Sequence, residues 1–260
     1  MRPLRFLTVL RRRLRLPLPL GPARGRCGHP LDELGDHAAA CAASGLLKLR
    51  AGPQEKAWGQ VLREAGARVQ GSGVPGGRNQ YLRDMGLETE VTDDRAVELV
   101  ARDLTLFHGL PLACDATLAS PLHANGTARP GADEHAGTAI AASEDAKAVK
   151  YPELCNSQRV RLMVLASEVG GRWSDTSLDF VRRLAAAKAA GAPPPLREAT
   201  ATALQARWWA LLAVATQDAL AATLLGDAPH LLHGSPEQAP PLGALLDGGG
   251  GPAPSRLPLR

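Results

Sequence analysis

The sequence predicts an α+β fold, close to the α/β class, in which helices flank a mixed β-sheet. Apolar residues recur at helical spacing over residues 53–70, strand-length apolar runs occupy the middle of the chain, and long helical patterns follow residue 174. The resulting order is helix, two or three strands, helix, strand and two helices. This order favours a mixed sheet over an all-α or all-β arrangement.

The composition restricts the class of protein. Of the 260 residues, 45% are hydrophobic but only 3% are aromatic, so the core must be built mainly from Leu, Val and Ala. The longest strongly apolar stretch, 208–215, is shorter than the roughly 18–20 residues that a membrane span requires. This length excludes a polytopic membrane protein.

The basic residues are concentrated at the N-terminus. Residues 1–26 contain eight arginines and no acid, which leaves 22 basic against 26 acidic residues in the rest of the chain. Such an arm suits nucleic-acid phosphates, an anionic membrane surface or an organellar import machinery. Pro17 and Pro19 would break an amphipathic helix early and lead into an extended linker. The arginines predicted to bind nucleic acid are Arg11, Arg12, Arg13 and Arg15.

The elements follow in order from residue 53. Helices are predicted over 53–70, 138–151, 174–190 and 196–225, and strands over 96–101, 110–118 and 159–168. Gly- and Pro-rich segments at 71–79 and 119–133 separate them. The predicted organisation is a basic arm (1–26), a Cys/His segment (27–45), a core (53–170), C-terminal helices (171–226) and a disordered tail (227–260).

A first group of candidate ligands lies in RCGHPLDELGDHAAAC. Cys27, His37 and Cys41 offer thiolate and imidazole ligands, which tetrahedral zinc prefers, at spacings that let one loop surround an ion. A closed site needs a fourth ligand, for which His29 is a candidate. The alternative is a metal-free loop with two buried thiols. The scattered cysteines do not resemble a secreted disulfide framework and favour an intracellular location.

A second group consists of acids on adjacent strands. Strand alternation places Leu112 and Cys114 on one face and Asp115 on the other, within an otherwise apolar run. Glu98 lies in a similarly apolar strand, AVELVA. Two carboxylates on paired strands suit Mg²⁺, which keeps water positions open for a phosphate and a nucleophile. In the alternative, both acids point to solvent from a half-exposed sheet.

A third candidate is Lys147, within SEDAKAVKYPEL. Helical offsets put Lys147 and Tyr151 on one stripe, and put Ala139, Ala142, Ala146 and Val149 on an opposite stripe that is predicted to pack. The functional interpretation of Lys147 is a charge that stabilises a phosphate in the transition state. The alternative is a solvated surface residue.

Six segments together resemble the restriction-enzyme-like endonuclease region that follows the reverse transcriptase in some non-LTR retrotransposons, especially those of dinoflagellate genomes. The resemblance runs from about residue 13 to about 225. It implies a PD-(D/E)xK core and a C-terminal piece of a longer element. The matching segments are RLRLPLPL, CG-P-LDELGDH-C, EAGARV, GLPLACDATLASPL, KYPEL and LASEVGGRWS.

In the Cys/His segment, the resemblance implies a zinc knuckle that precedes the nuclease. Cys27, His37 and Cys41 match the knuckle, and Gly25 stands where its first cysteine belongs. The missing ligand implies weak or vestigial zinc binding.

In the core, the resemblance implies a magnesium-dependent catalytic site. Asp115 matches the central metal-binding acid, and Glu98 would replace the Asp of the first acidic motif. Thr117 stands where many restriction enzymes have lysine. Lys147 and Tyr151 match the K-x-x-x-Y pattern by which retrotransposon versions supply that lysine from the next helix.

The leading hypothesis is therefore an active or decayed Mg²⁺-dependent nuclease that nicks DNA and resides in the nucleus or elsewhere in the cell. The second is a non-catalytic module that binds DNA or RNA through the same arm and knuckle. The third is an organelle-targeted protein of no assigned activity. The first hypothesis requires the Glu98 and Asp115 carboxylates to converge beside Lys147.

Overall fold

A computed structural model of the chain describes residues 2–18, 24–25 and 27–226. It confirms the mixed α+β class and a mixed sheet flanked by helices. The predicted disordered tail, 227–260, lies outside the described residues.

The helices and strands follow the predicted order with an added N-terminal helix and short added strands. The helices are α1 (Pro3–Arg13), α2 (Asp36–Ala40), α3 (Ala51–Ala65), α4 (Thr138–Lys150), α5 (Pro152–Asn156), α6 (Asp175–Ala189) and α7 (Arg197–Leu225). The strands are β1 (Arg68–Gly71), β2 (Gln80–Tyr81), β3 (Ala96–Val97), β4 (Leu99–Arg102), β5 (Leu112–Ala119) and β6 (Arg161–Glu168).

The main sheet has four strands in the order β1-β4-β5-β6. The β1–β4 and β4–β5 pairs are antiparallel, whereas β5 and β6 run parallel over eight residues and are joined through α4. A parallel pair requires such a crossover, because the chain must return to the same end of the sheet. Strand β5, the inner strand that we call central, is hydrogen-bonded to a neighbour on each side and is contacted by α4.

The two faces of the sheet pack into different cores. Leu112 and Cys114 of β5 face the larger core, which α3, α6 and α7 complete with Trp58, Phe180 and Trp208. Side chains of the opposite face pack in a smaller core whose members include Val97, Val100, Ala113, Tyr151 and Leu154. Since both faces are covered, any polar group on β5 needs a partner inside the protein.

The predicted helix over 53–70 is too long at its C-terminal end. Helix α3 ends at Ala65, where Gly66 adopts φ +108° and its N–H bonds back to the Arg63 and Leu62 carbonyls. A left-handed glycine is a common helix stop. The next residues form β1 instead, because Arg68 to Gly71 pair with β4.

Residues 3–13 of the basic arm form a helix that ends before Pro17, an element that the sequence analysis did not assign. Pro3 occupies the first helical turn, and Thr8 and Val9 are buried on the face that contacts α7. Arg5 fixes this contact through a 2.7 Å ion pair with Asp218 of α7. Part of the basic arm is therefore a packed element of the fold.

One helical segment, 194–225, is long and apolar enough to cross a membrane, with a mean hydropathy of 1.3 over its best window. The shorter apolar stretch considered in the sequence understated this length. In the structure 61% of that window is buried inside the protein. Contacts with α1, α3 and α6 account for this burial, as expected of a core helix.

A close approach between β1 and β4 fixes the position of Glu98. Gly71 has φ +134°, and a Cβ there would overlap the Glu98 carbonyl oxygen. The same carbonyl accepts a 2.9 Å hydrogen bond from the Ser72 N–H. Only glycine fits this approach, which holds the bend at Glu98 between β3 and β4.

We predict that Gly71→Ala destabilises the protein by about 1–3 kcal/mol, because the alanine adds both backbone strain and a main-chain overlap. Urea unfolding measures the change. Gly170→Ala is the matched control, since a Cβ at Gly170 meets nothing within 4 Å. Equal stability of the two variants would contradict the assigned role of Gly71.

Candidate functional site

The centre of the candidate site is Asp115, on β5. Its side chain is completely buried on the sheet face opposite to Leu112 and Cys114, as the alternation predicted. Burying a lone carboxylate is costly, so it must meet a cation or hydrogen-bond donors. The alternative in which this acid points to solvent is wrong.

Lys147 of α4 provides the cation. Its Nζ lies 2.6 Å from Asp115 Oδ1 and 2.7 Å from Oδ2. The Lys147 side chain is 21% exposed, so the pair is open to solvent only from the lysine side. The crossover from β5 to β6 explains the contact, since it lays α4 over the central strand. The alternative of a solvated lysine is therefore wrong.

The face of α4 that was predicted to pack is largely open. Val149 is 81% exposed, and Ala142 and Ala146 are exposed as well. Of the predicted stripe only Ala139 is buried. Ile140, outside that stripe, is the other buried residue of α4 and packs with Val164 and Ala166 of β6. The predicted packing stripe is therefore wrong for Ala142, Ala146 and Val149, because the Lys147–Asp115 pair turns the Lys147 side of α4 towards the sheet.

Tyr151 is the second residue that contacts the Asp115 carboxylate. Its hydroxyl lies 3.0 Å from Asp115 Oδ2 and 2.7 Å from the Ala96 carbonyl oxygen. Both partners are acceptors, so the single phenolic proton serves them in turn. Burial and the Asp115 charge raise the pKa of Tyr151, which keeps the phenol neutral. Tyr151 thus ties Asp115 to the start of β3.

Glu98 approaches Asp115 from the bend between β3 and β4, directly before the strand that pairs with β5. Leu99 pairs with Cys114, and Glu98 Oε2 accepts a 3.2 Å hydrogen bond from the Ala116 N–H. Burial and the Asp115 charge raise the pKa of Glu98 to about 7, although Lys147 opposes the shift. Glu98, Asp115 and Lys147, predicted from the sequence, therefore lie together at one place.

Sequence reasoning missed one acid beside this site. Glu55 of α3 is only 7% exposed, and its charge contributes to the raised pKa of Glu98. Its position was a usable signal, because Glu55, Trp58 and Leu62 share one helical stripe and an acid on an apolar stripe is unusual.

The Asp115 carboxylate retains unused acceptor capacity. Oδ1 is buried and has no hydrogen bond of acceptable geometry, although it lies 2.6 Å from the lysine ammonium. The Lys147 ammonium therefore contacts both oxygens and directs its hydrogen bond at Oδ2. One oxygen is left for another ligand.

The Cys/His segment forms a second candidate site. Cys27 Sγ lies 3.1 Å from His37 Nε2, and the ligand atoms of Cys27, His37 and Cys41 lie within 4.8 Å of one another. Among the described residues this is the sole trio of potential ligands within that distance. These three groups could hold a metal ion, and their chemistry is compatible with zinc.

Hydrogen bonds prepare this trio for a cation. The His29 N–H and the His37 ring lower the pKa of Cys27 to about 7. His37 Nδ1 lies 2.9 Å from the Ala124 carbonyl oxygen, which orients the ring and leaves Nε2 facing Cys27. A carbonyl on the far ring nitrogen is the usual support of a metal-binding histidine.

Cysteine and histidine side chains supply three ligands here, so a tetrahedral zinc ion would need a fourth ligand from elsewhere. A Cβ built on Gly25 would lie 3.3 Å from Cys27 Sγ, so a longer side chain at position 25 would reach the cluster. His29 is exposed, with its ring centroid 6.2 Å from that of His37. The geometry therefore agrees with the missing ligand inferred from the sequence.

The arginines predicted to bind nucleic acid occupy different environments. Arg12 pairs with Asp36 at 2.7 Å, and Arg15 lies 3.7 Å from the same carboxylate. Arg11 donates to the Pro17 carbonyl at 2.6 Å, whereas Arg13 is exposed. Arg12 is thus committed to holding α1 on the Cys/His segment.

Comparisons of the chain with family models, with curated proteins and with solved structures gave no match. The functional argument therefore rests on the residues and their geometry.

We predict that Glu98 makes stability fall with rising pH. A folded-state pKa of about 7, against 4.5 for an ordinary glutamate, means that the folded protein binds the proton more tightly. This stabilisation is complete below about pH 4.5 and is lost as the pH passes 7. Glu98→Gln should remove this dependence and raise stability at pH 8 by about 1–3 kcal/mol.

Urea unfolding of the metal-free protein across this pH range provides the measurement. Glu88→Gln, which changes an exposed glutamate, is the control and should keep the wild-type profile. A pH dependence that survives Glu98→Gln would contradict the assignment.

We predict that Gly25→Cys increases zinc affinity, because it supplies the fourth ligand of a tetrahedral site. Competition with a chromophoric chelator at neutral pH measures the affinity. Ala186→Cys, on the exposed side of α6, controls for an added thiol. Equal affinities for the two variants, or no zinc bound by either, would indicate a metal-free loop.

Proposed function

We propose that this chain is a divalent-metal-dependent endonuclease domain that hydrolyses phosphodiester bonds in DNA. The observation that carries the proposal is the completely buried Asp115, paired with Lys147 and adjacent to Glu98. Two acids and one lysine at a single position are the groups needed to organise a metal ion and a phosphate.

The arrangement of elements supports a restriction-endonuclease-like core. The order α3-β1-β4-β5-α4-β6, with an antiparallel three-strand unit followed by a parallel crossover, agrees with the PD-(D/E)xK core that the sequence resemblance implies. Asp115 lies on β5, Glu98 at the bend that leads into the adjoining β4, and Lys147 on the crossover helix. An origin in a retrotransposon-encoded protein is supported by the sequence resemblance alone.

The residues fit a divalent cation such as Mg²⁺. Asp115 Oδ1 has no hydrogen-bond donor, and Glu98 has one oxygen beyond that bonded to the Ala116 N–H. Oxygen ligands of this type suit Mg²⁺, which retains several waters. When bound, the ion would supply an activated water and polarise the phosphodiester.

The side chains take distinct roles around the phosphate. Lys147 leaves Asp115 and donates hydrogen bonds to a phosphate oxygen as negative charge develops there. Asp115 stays oriented by the Tyr151 hydroxyl during this exchange. Because Asp115 is fully buried and Lys147 partly exposed, the lysine must move for any ligand to reach the carboxylate.

The N-terminal segments provide a reason for nucleic-acid binding. Arg2, Arg13 and Arg15 are exposed directly before α1, at its end and shortly after it, and Arg15 lies 3.7 Å from Asp36 of the Cys/His segment. Exposed arginines of this kind attract phosphates through counterion release. These residues also support a second candidate, a nucleic-acid-binding module without catalysis.

We predict that the protein nicks supercoiled plasmid DNA with Mg²⁺ and that Asp115→Asn abolishes the reaction. Lys147→Ala should lower the rate roughly 10²–10³-fold, the range seen when one preorganised donor to a developing oxyanion is removed. Gel separation of nicked and supercoiled plasmid measures the rate.

Lys188→Ala is the matched control, since Lys188 is an exposed lysine in the last turn of α6 and should leave nicking unchanged. Circular dichroism confirms folding of each variant. Nicking by Asp115→Asn protein would contradict the site assignment. DNA binding without nicking by the wild type would favour the second candidate.

A further inference from the structure

A cavity of about 270 Å³ lies beside the candidate site, between α4, the end of β5 and the segment before α3. Its charged lining residues are Arg50 and Arg129, and no carboxylate lines it. The volume lies below the roughly 300–1,000 Å³ typical of small-molecule sites. A compact anionic group fits this size and charge better than a cofactor does.

Arg50 is the unusual feature of the cavity. It is only 7% exposed, and its guanidinium donates to Thr223 Oγ1, the Leu118 carbonyl and the Ala39 carbonyl. All three acceptors are neutral, and a guanidinium carries five N–H donors. Among the described residues, no carboxylate is one of its hydrogen-bond partners. Burial and the nearby Arg12 charge accordingly lower the pKa of Arg50 to about 10.

Arg129 adds a second positive charge at the solvent side of the cavity. It is exposed and held by one 2.9 Å hydrogen bond from Nε to the Ser120 carbonyl. Its remaining donors are available to a ligand that enters from solvent. A buried and an exposed arginine therefore face one small cavity.

The exposed face of α4 gives the cavity its shape and its relation to the catalytic candidates. The cavity is lined on this side by Ala139, Ala142, Ser143 and Ala146. Their side chains are small and leave room for a nucleic-acid strand to pass close to the helix. Ser143 lies four residues before Lys147, which is about one helical turn, or 6 Å, along the axis. Ser143 thus places the α4 wall of the cavity about one turn from Lys147.

We propose that this cavity binds a nucleic-acid backbone phosphate that flanks the one held at Lys147. The inference rests on the proposed function for its substrate class. Arg129, on the solvent side, contacts the phosphate first. The phosphate then gives the buried Arg50 a negatively charged partner, which the described residues around it do not provide. Arginine is suited to this role because its fork of donors matches phosphate oxygens.

The first test measures duplex DNA binding by the full chain over a range of salt concentrations, without added Mg²⁺. Arg129→Ala should weaken binding roughly tenfold, as expected for the loss of a charged hydrogen bond. The slope of log affinity against log salt should become shallower by about 0.9 for the lost contact. Equal slopes for the variant and the wild type would overturn the proposal.

Arg197→Ala is the matched control. Arg197 is also exposed and also donates from Nε to one backbone carbonyl, that of Ala192 at 3.1 Å. It lies outside the cavity, so its variant should keep the wild-type slope. If both variants lose slope equally, the effect is one of net charge, and the proposal fails.

The second test uses inorganic phosphate as the probe and thermal unfolding as the readout, at constant ionic strength. Phosphate should raise the unfolding temperature of the wild type and of Arg197→Ala by the same amount. The increase for Arg129→Ala should be smaller. A phosphate effect without any change in the DNA slope would indicate a site for free phosphate and overturn the nucleic-acid assignment.

These outcomes are separate from those of the nicking assay. An altered salt slope for Arg129→Ala in a protein that does not nick would support the phosphate site and reject the nuclease. Nicking by the wild type with an unchanged slope for Arg129→Ala would reject the site and retain the nuclease.

Discussion

The buried ion pair between Asp115 and Lys147 is the interaction on which the rest of the site depends. A carboxylate that is completely withdrawn from water is unfavourable unless a cation and hydrogen-bond donors meet it. Lys147 and Tyr151 provide both, and both come from the crossover helix or its end. The pair therefore fixes the face that α4 presents to the sheet. It also leaves the small residues of α4 unpacked beside the Arg50 cavity.

The same burial explains the behaviour of Glu98. Burial, and after it the negative charge of Asp115, disfavour the ionised form of Glu98 and raise its pKa. A divalent cation would remove this conflict by offsetting both negative charges. The raised pKa of Glu98 and the unused oxygen of Asp115 both belong to a site in which two acids share one lysine.

The N-terminal segments are joined to the core by contacts at the end of β5. His37 bonds to Ala124 in the loop after that strand, and Arg50 bonds to Leu118 within it. Arg12 in turn holds α1 on the Cys/His segment through Asp36. A ligand bound by the Cys/His trio and a phosphate bound at Arg50 would therefore act on the same end of the central strand.

The sequence by itself determined the features that depend on local periodicity: the mixed α+β class, the face of β5 that carries Asp115, and the common stripe of Lys147 and Tyr151. The spacing of Cys27, His37 and Cys41 likewise indicated their cluster. Only the tertiary structure decided that the residues after Gly66 pair as β1, how α1 docks on α7, and that Glu55 lies near Glu98. It also decided which face of α4 is buried. These features depend on long-range strand pairing, helix packing and charge, which residues distant in the chain create together and which no local pattern contains.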